Sequence, residues 1–419
     1  PLIILILLQK IKSLVIYNMP ILFQINVVAN SGSTGRIVEG IAEKVMESGW
    51  ECYTAFGRWA NVSKTHLYRI GNIWEIYSHY LQSRLLDSHG LGSKNATRAL
   101  IAQIDIIKPD LIHLHNLHGY YINYPILFNF LSKLNIPIVW TLHDCWAYTG
   151  HCVHYTSVNC SKWKVECFNC PNLLDYPSSL FCDNSNRNFN LKKDAFNSIE
   201  KLTIVTVSKW LAGEVKQSFL KKYPVRVIHN GVDVVTFAPV QTQIKLKYGI
   251  KDKFVILGVA TVWNQRKGLA DFIELSKYLL YDEIILLVGL NSRQIADLPD
   301  NIIGIKNTEN MHELVELYSC ADLFVNFSVE ETFGLTTAES LACGTPVLVY
   351  NSTACSEIVT KEIGFIIAPH DIKEASEVVK RIKTIGKKNY TAACRSYAFK
   401  NFKKEEKYKE YVDLYNELL

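Results

Sequence analysis

Short unbroken apolar runs, each followed by an amphipathic stretch, recur along this chain and constrain its fold more than any single motif does. "ILFQINVV" (21–28) leads into "TGRIVEGIAEKVMESG" (34–49), where Ile37, Ile41 and Val45 share one helical face and Gly49 suits the helix end. "DLIHLH", "PIVWTLH" and "TIVTVS" follow as strand candidates. From residue 254 the pattern restarts with "FVILGVA", the helix-like "LADFIELSKYLL", then "EIILLVG", "LFVNFS", "PVLVY" and "GFIIA". A strand apolar on both sides is covered on both sides, so these runs indicate parallel sheets sandwiched between helices. Two such series predict an α/β architecture of two doubly wound, Rossmann-like domains facing across a cleft. The joint falls near "HNGVDVVTFAPVQTQ", where Asn-Gly and Pro mark a turn and a linker. The expected division is 19–238, 239–395, and a final charged, aromatic helix over 396–419 that packs back toward the first domain.

The 419 residues suffice for two such domains, and 48% apolar content is globular. A net charge of +5 is too mild to argue for nucleic acid, but suits an anionic substrate or weak attraction to a membrane surface. No stretch of about 18 uncharged apolar residues is found. Residues 1–18 lack the basic region and cleavage site of a signal peptide, and Met19 follows them; they are expected to lie upstream of the true start. Cys52, Cys145, Cys182, Cys320, Cys343, Cys355 and Cys394 are scattered and read as buried reduced thiols.

In open α/β sheets, ligands bind beyond the carboxyl ends of the strands, and with two such domains the natural site is the cleft between them. Several motifs sit at strand ends. "VEETFGLTTAES" (329–340) carries Glu331 and Glu339 on either side of Phe333-Gly334. Thr336-x-x-Glu339 also fits a capping box, in which the acid serves only the helix start. The two acids can face one ligand only if Glu331 lies in a loop and the helix begins near Leu335. "VANSGSTGR" places Gly32 and Gly35 before a helix start that can receive an anion, although it lacks the third glycine of a dinucleotide fingerprint and also reads as a plain turn and cap. "WNQRKGLADF" puts Arg266 and Lys267 beside a helix start, either a pyrophosphate site or a solvated pair. In "WTLHDCW", His143 is placed to bond a sugar hydroxyl or assist proton transfer, or to act as a structural hydrogen bonder. His113, His115 and His118 in "HLHNLHG" lack an interleaved carboxylate and read as loop-lining residues.

Cys152, Cys160, Cys167 and Cys170 run C-x7-C-x6-C-x2-C within an insertion over 145–182. That is metal-site spacing. A closed four-thiolate zinc site would order a segment that looks poor in apolar core; two disulfides or a redox CxxC are the alternatives. The chain has neither a D-x-D pair nor a G-x-S-x-G elbow. A bound diphosphate would therefore be neutralised by Arg266, Lys267 and helix N-termini, and no catalytic metal is expected.

Together these residues resemble the retaining glycosyltransferases of the GT-B fold, family GT4, over nearly all of 19–419. The stretch 329–340 is similar to that family's E-x7-E element, "VIHNGVDVVTF" to its interdomain signature, and "ELVELYSCADLFVNFS" and "ACGTPVLVY" to the elements before and after. The cysteine insertion and "WNQRKGL" resemble the subgroup near colanic-acid and other exopolysaccharide transferases. The resemblance implies that Glu339 bonds the nucleotide ribose, that Glu331 faces the donor sugar, and that the backbone from Phe333 through Gly334 to Leu335 contacts sugar and phosphate. It further implies that Lys267 holds the diphosphate, that Gly32 approaches it from the first domain, and that His143 contacts the sugar. The family's arginine lies several residues before that lysine, where this chain reads Thr261-Val262-Trp263; Arg266 is the available candidate.

The expected activity is transfer of a hexose from a nucleotide-diphosphate sugar to a glycan or lipid-linked acceptor in polysaccharide biosynthesis, with retention. A nucleotide-sugar epimerase or hydrolase of the same fold is the second reading, and a non-catalytic, metal-bearing binding or redox protein the third. The runs "IWEIYSHYLQSRLL" and "YYINYPILF", with the basic "KQSFLKKYPVR", suggest a cytoplasmic enzyme bound peripherally to the inner leaflet.

Overall fold

The computed structural model describes residues 19–419, and the expectation placed on residues 1–18 lies outside it. The apolar runs form two wholly parallel sheets among the described residues. The first is seven-stranded, built from β1 (Ile21–Asn26), β2 (Glu51–Phe56), β3 (His66–Arg69), β4 (Leu111–Leu114), β5 (Ile138–Leu142), β6 (Leu202–Thr206) and β7 (Val225–Val227), in the order β3-β2-β1-β4-β5-β6-β7. The second is six-stranded, built from β8 (Phe254–Val259), β9 (Glu283–Val288), β10 (Ile302–Ile305), β11 (Leu323–Asn326), β12 (Val347–Tyr350) and β13 (Gly364–Ile367), in the order β10-β9-β8-β11-β12-β13. Strands β4, β5, β6, β9, β11 and β12 are buried at every position. Helices cover both faces, as unbroken apolar strands require.

Strand order reverses between β1 and β4 in the first sheet and between β8 and β11 in the second. The loops leaving these four strands therefore open a crevice at each carboxyl edge.

The halves are tied twice. The linker after β7 meets the chain again at the start of the last helix, Lys404–Leu418: Lys404 N–H donates to the Val232 carbonyl at 2.9 Å and its ammonium pairs with Asp233 at 2.7 Å. Gly231 is needed there, because a Cβ would lie 2.5 Å from the Lys404 backbone. The last helix then lays Tyr408, Tyr411 and Tyr415 against Leu22, Ile37 and Ile41 of the first half.

The two aromatic runs part company. Tyr120, Tyr121, Ile122 and Tyr124 are buried, so "YYINYPILF" is core and not a docking face. Helix Ile73–Leu86 instead exposes Ile73, Tyr77, Leu81 and Leu85 at four-residue spacing, with Trp74 78% exposed beside them. The insertion's Leu180 N–H donates to the Arg84 carbonyl, which brings the exposed Leu180 and Phe181 to the same helix end. No helix among the described residues is long and apolar enough to cross a membrane.

Candidate active site in the interdomain cleft

A cleft of about 1400 Å³ separates the halves, and Gly32, Arg36, Arg266, Lys267, Glu331, Leu335 and Glu339 all line it. The switch-point topology puts them there: Gly32 follows β1, Arg266 and Lys267 follow β8, and Glu331 follows β11. Gly32 takes φ +62°, and nothing lies within 4 Å of where its Cβ would be, so that wall is open to a ligand.

The β8 and β11 loops are zipped to each other. Val329 N–H donates to the Arg266 carbonyl at 3.0 Å, Arg266 Nη1 donates to the Glu330 carbonyl at 2.6 Å, and Lys267 Nζ forms an ion pair with Glu331. Gly268 permits the close approach: it adopts φ +74°, and any Cβ would meet the Phe327 carbonyl at 2.5 Å. Arg266 is thereby a loop pin as well as a cleft residue, while Lys267 and Glu331 form the charged pair. Burial alone would raise the Glu331 carboxyl, but Lys267 and Arg266 outweigh it and hold the group below its usual range.

The next helix begins at Leu335, with Gly334 as its N-cap at φ +92°. That leaves Glu331 in the loop and Glu339 on the helix. The capping-box alternative does not hold. The helix start has no side-chain cap, and Glu339 Oε2 instead accepts a hydrogen bond from Tyr318 OH at 2.9 Å. Glu339 is held up to about 7, first by burial, with Tyr318 and Arg36 opposing. Phe333 turns inward, 2% exposed, against His229 and Phe402, so only its backbone is available to a ligand.

His143, from the first half, is not among the residues lining that cleft but abuts the β11 loop: its carbonyl accepts from Thr332 Oγ1 at 2.8 Å, and its Nε2 lies 3.2 Å from His115 Nδ1. Burial lowers the ring's pKa to about 4. His113 and His115 do not line a loop. His113 lies buried in β4, between Thr141 and Tyr415, and His115 directly after it is buried as well. His118 stands further along the segment after β4 and pairs with Asp144 at 2.6 Å.

The zinc reading of Cys152, Cys160, Cys167 and Cys170 receives no support. All four line one cavity of about 10 Å³, roughly the space of a single water. Among the described residues, however, no group of three or more His, Cys, Asp or Glu side chains is placed to hold a metal ion. Cys152 and Cys170 share a hydrogen bond that raises the first thiol and lowers the second to about 7. The insertion is also not poor in core. Tyr148, Tyr155 and Trp163 pack with ring centroids 5.0–6.3 Å apart, and all three are buried. Those rings give the segment an apolar core of its own.

Glu330 was passed over beside its neighbour. Fully buried, it accepts from the insertion's backbone at Tyr155 N (3.0 Å) and Thr156 N (2.9 Å), with His154 at 3.6 Å. Glu357 does the same for Lys209 N and Trp210 N, at 2.8 and 3.0 Å. No local sequence signal separates Glu330 from Glu331, because both lie in the loop after β11 and the partners of Glu330 come from the other half.

Comparison with known proteins agrees with this geometry. Residues 34–235 match the model "Glycosyltransferase Family 4", and residues 240–401 match "Glycosyl transferases group 1". The chain is 26% identical over 290 residues to WcaC of Escherichia coli (strain K12), named for glycosyl transfer in colanic acid biosynthesis, covering 65% of this chain and 67% of that protein. It is 25% identical over 262 residues to the UDP-Gal:alpha-D-GlcNAc-diphosphoundecaprenol alpha-1,3-galactosyltransferase of Escherichia coli, covering 54% of this chain and 67% of that one. The chain thus spans about two thirds of the length of these relatives. Among solved structures, sucrose-phosphate synthase from Thermosynechococcus elongatus aligns with a TM-score of 0.71 at 16% identity, covering 95% of this chain and 99% of that one. Anabaena HepE in complex with UDP aligns at 0.67 and 14%, covering 96% and 100%. Both likenesses show the fold, which is GT-B. With two parallel-sheet halves, and with both models matched over most of its length, the chain belongs to the family 4 glycosyltransferases.

Proposed function

We propose that this enzyme transfers a hexose from a nucleotide-diphosphate sugar, with retention, to a glycan or lipid-linked glycan acceptor in polysaccharide biosynthesis. The observation that carries the reading is the convergence of Lys267, Glu331 and Glu339 on one wall of the cleft, opposite the open Gly32 turn. Lys267 is the cation for the diphosphate, Glu339 the acceptor for ribose hydroxyls, and Glu331 and His143 the groups nearest the sugar. Arg36, on the helix that starts at Gly32, adds a second cation from the other wall. The C–O bond to phosphate breaks as the acceptor oxygen bonds the same face of the sugar, and the departing phosphate oxygen takes the acceptor's proton. Positioning and charge stabilisation then supply most of the rate.

A uridine nucleotide and a lipid-linked acceptor are suggested by the relatives: HepE was solved with UDP-glucose, and one relative is named for transfer to a diphosphoundecaprenol-linked sugar. The exposed stripe Ile73–Tyr77–Leu81–Leu85, with Trp74 and Phe181, is the face we assign to the inner leaflet of a cytoplasmic, peripherally bound enzyme. Sedimentation with anionic vesicles checks this, because Trp74→Ser with Tyr77→Ser should abolish binding. The activity is tested by incubating the protein with UDP-, GDP- and TDP-sugars, with and without glycan acceptors. Acceptor-dependent nucleotide release is the expected result. Release or isomerisation without acceptor would indicate the hydrolase or epimerase, and no release with any pair would reject the enzyme reading.

A further inference from the structure

Behind His143 runs a buried chain of hydrogen bonds whose direction can be read from one end. The Val38 carbonyl can only accept, so the Gln24 side-chain nitrogen donates to it, at 3.1 Å. Gln24 Oε1 is then the other end of that amide and can only accept. It faces His115 Nε2 at 3.3 Å, so this ring nitrogen carries the hydrogen. His115 is buried, and burial keeps it neutral with a single ring hydrogen. Its Nδ1 is therefore a bare lone pair. Opposite that lone pair, at 3.2 Å, stands His143 Nε2, which must carry the hydrogen of its own ring. His143 is kept neutral by the same burial. Its Nδ1 has no hydrogen-bond partner among the described residues and is not sealed from solvent.

The other assignments fail at a buried contact. Turning the Gln24 amide over would set its oxygen against the Val38 carbonyl. Moving the His115 hydrogen to Nδ1 would set two acceptors face to face at Gln24. Either change leaves buried polar atoms unpaired. His113 does not enter the chain. Its ring lies tilted against that of His115, with centroids 3.9 Å apart, but its nitrogens bond Thr141 and Tyr415.

We propose that Gln24 and His115 are positioning residues that fix His143 in its Nε2–H tautomer, so that His143 Nδ1 meets the donor sugar only as a hydrogen-bond acceptor. The sugar contact rests on the glycosyl-transfer reading; the tautomer does not. The enzyme would then require a donating hydroxyl at the contacted position, and a deoxyfluoro donor at that position would be a poor substrate.

The test is a long-range 1H–15N correlation spectrum of the full chain labelled with 15N-histidine, at pH 7, with His143→Gln and His115→Gln spectra to assign the two rings. Both rings should show the Nε2–H pattern. Either ring appearing as Nδ1–H, or as imidazolium, would overturn the proposal. Gln24→Leu removes the anchor and should convert His143 to a mixture of tautomers. A folded Gln24→Leu protein that keeps His143 wholly Nε2–H would refute the positioning role, and the wild-type spectrum decides the tautomer even if that variant does not fold. None of these signals depends on turnover, so a failure here is distinct from a failure of the transferase assignment.

Discussion

The loop after β11 and the insertion after β5 meet at Glu330, and they are held in contrasting ways. The loop is short, and its acids are each claimed by a single neighbourhood: Glu330 by the Tyr155 and Thr156 amides, Glu331 by Lys267. The insertion is long and irregular, and three buried aromatic rings pack within it, with Cys145 and Cys152 buried beside them. Between a strand and a helix start, a short loop has few ways to dispose its side chains, so acid spacing there carries geometric information. In a long irregular segment, cysteine spacing says only that thiols come near one another. The cleft-lining Glu331 thus sits in the constrained segment and the buried rings in the free one.

The comparison breaks first at Trp163. If rings and not metal order the insertion, Trp163→Ala should destabilise the protein by about 3–5 kcal/mol, seen as a lowered unfolding midpoint. A loss under 1 kcal/mol would return the role to the cysteines. Next comes Lys267→Ala, which should lower turnover by about 100-fold or more, as for loss of a group that stabilises developing charge, and should also lower the unfolding midpoint, because the largely buried Glu331 loses its partner. Arg266→Ala should cost stability with a much smaller loss of rate, because Arg266 pins the Glu330 carbonyl. Equal rate losses in the two variants would move the diphosphate role to both.

These contrasts also mark what the sequence could convey. Glu331 and Glu339 were legible because Gly334 separates a loop acid from a helical one, and the helix indeed starts at Leu335. The two parallel sheets were legible because β4, β5 and β11 have no polar face to hide. Glu330 was not, since nothing in a local pattern shows that a backbone from the other half arrives with two free amides. His113 and His115 were misread for the same reason: their partners Tyr415 and Gln24 are remote in sequence. The spacing of Cys152 to Cys170 does not disclose that Tyr155 and Trp163 between them are buried and pack together.

A smaller effect belongs to Glu339. Glu339→Ala should weaken nucleotide binding by about 1.5–3 kcal/mol, the scale of a hydrogen bond to a charged group. Its carboxyl, held up to about 7 against an ordinary 4.5, favours the protonated form in the fold. That contribution to stability is present below pH 4.5 and is lost as pH rises through 7. Nucleotide affinity runs the other way, because the ionised form is the better ribose acceptor. Between pH 6 and pH 8 it should rise about tenfold, the change in ionised fraction, and Glu339→Gln should flatten the profile. The smallest effect is Cys160→Ser, which should shift stability by about 1 kcal/mol or less, as a conservative change at a half-buried thiol; a large loss would restore a structural role for the thiols.

The central claim is that the cleft wall formed by Lys267, Glu331 and Glu339 binds a nucleotide-diphosphate sugar. Calorimetric titration of the wild type, Lys267→Ala and Glu339→Ala with UDP-glucose, GDP-mannose and TDP-glucose tests it most directly. The account predicts saturable binding of at least one of these donors to the wild type, weakened about tenfold or more in both folded variants. Binding of equal strength in all three proteins, or to none of them, would contradict it.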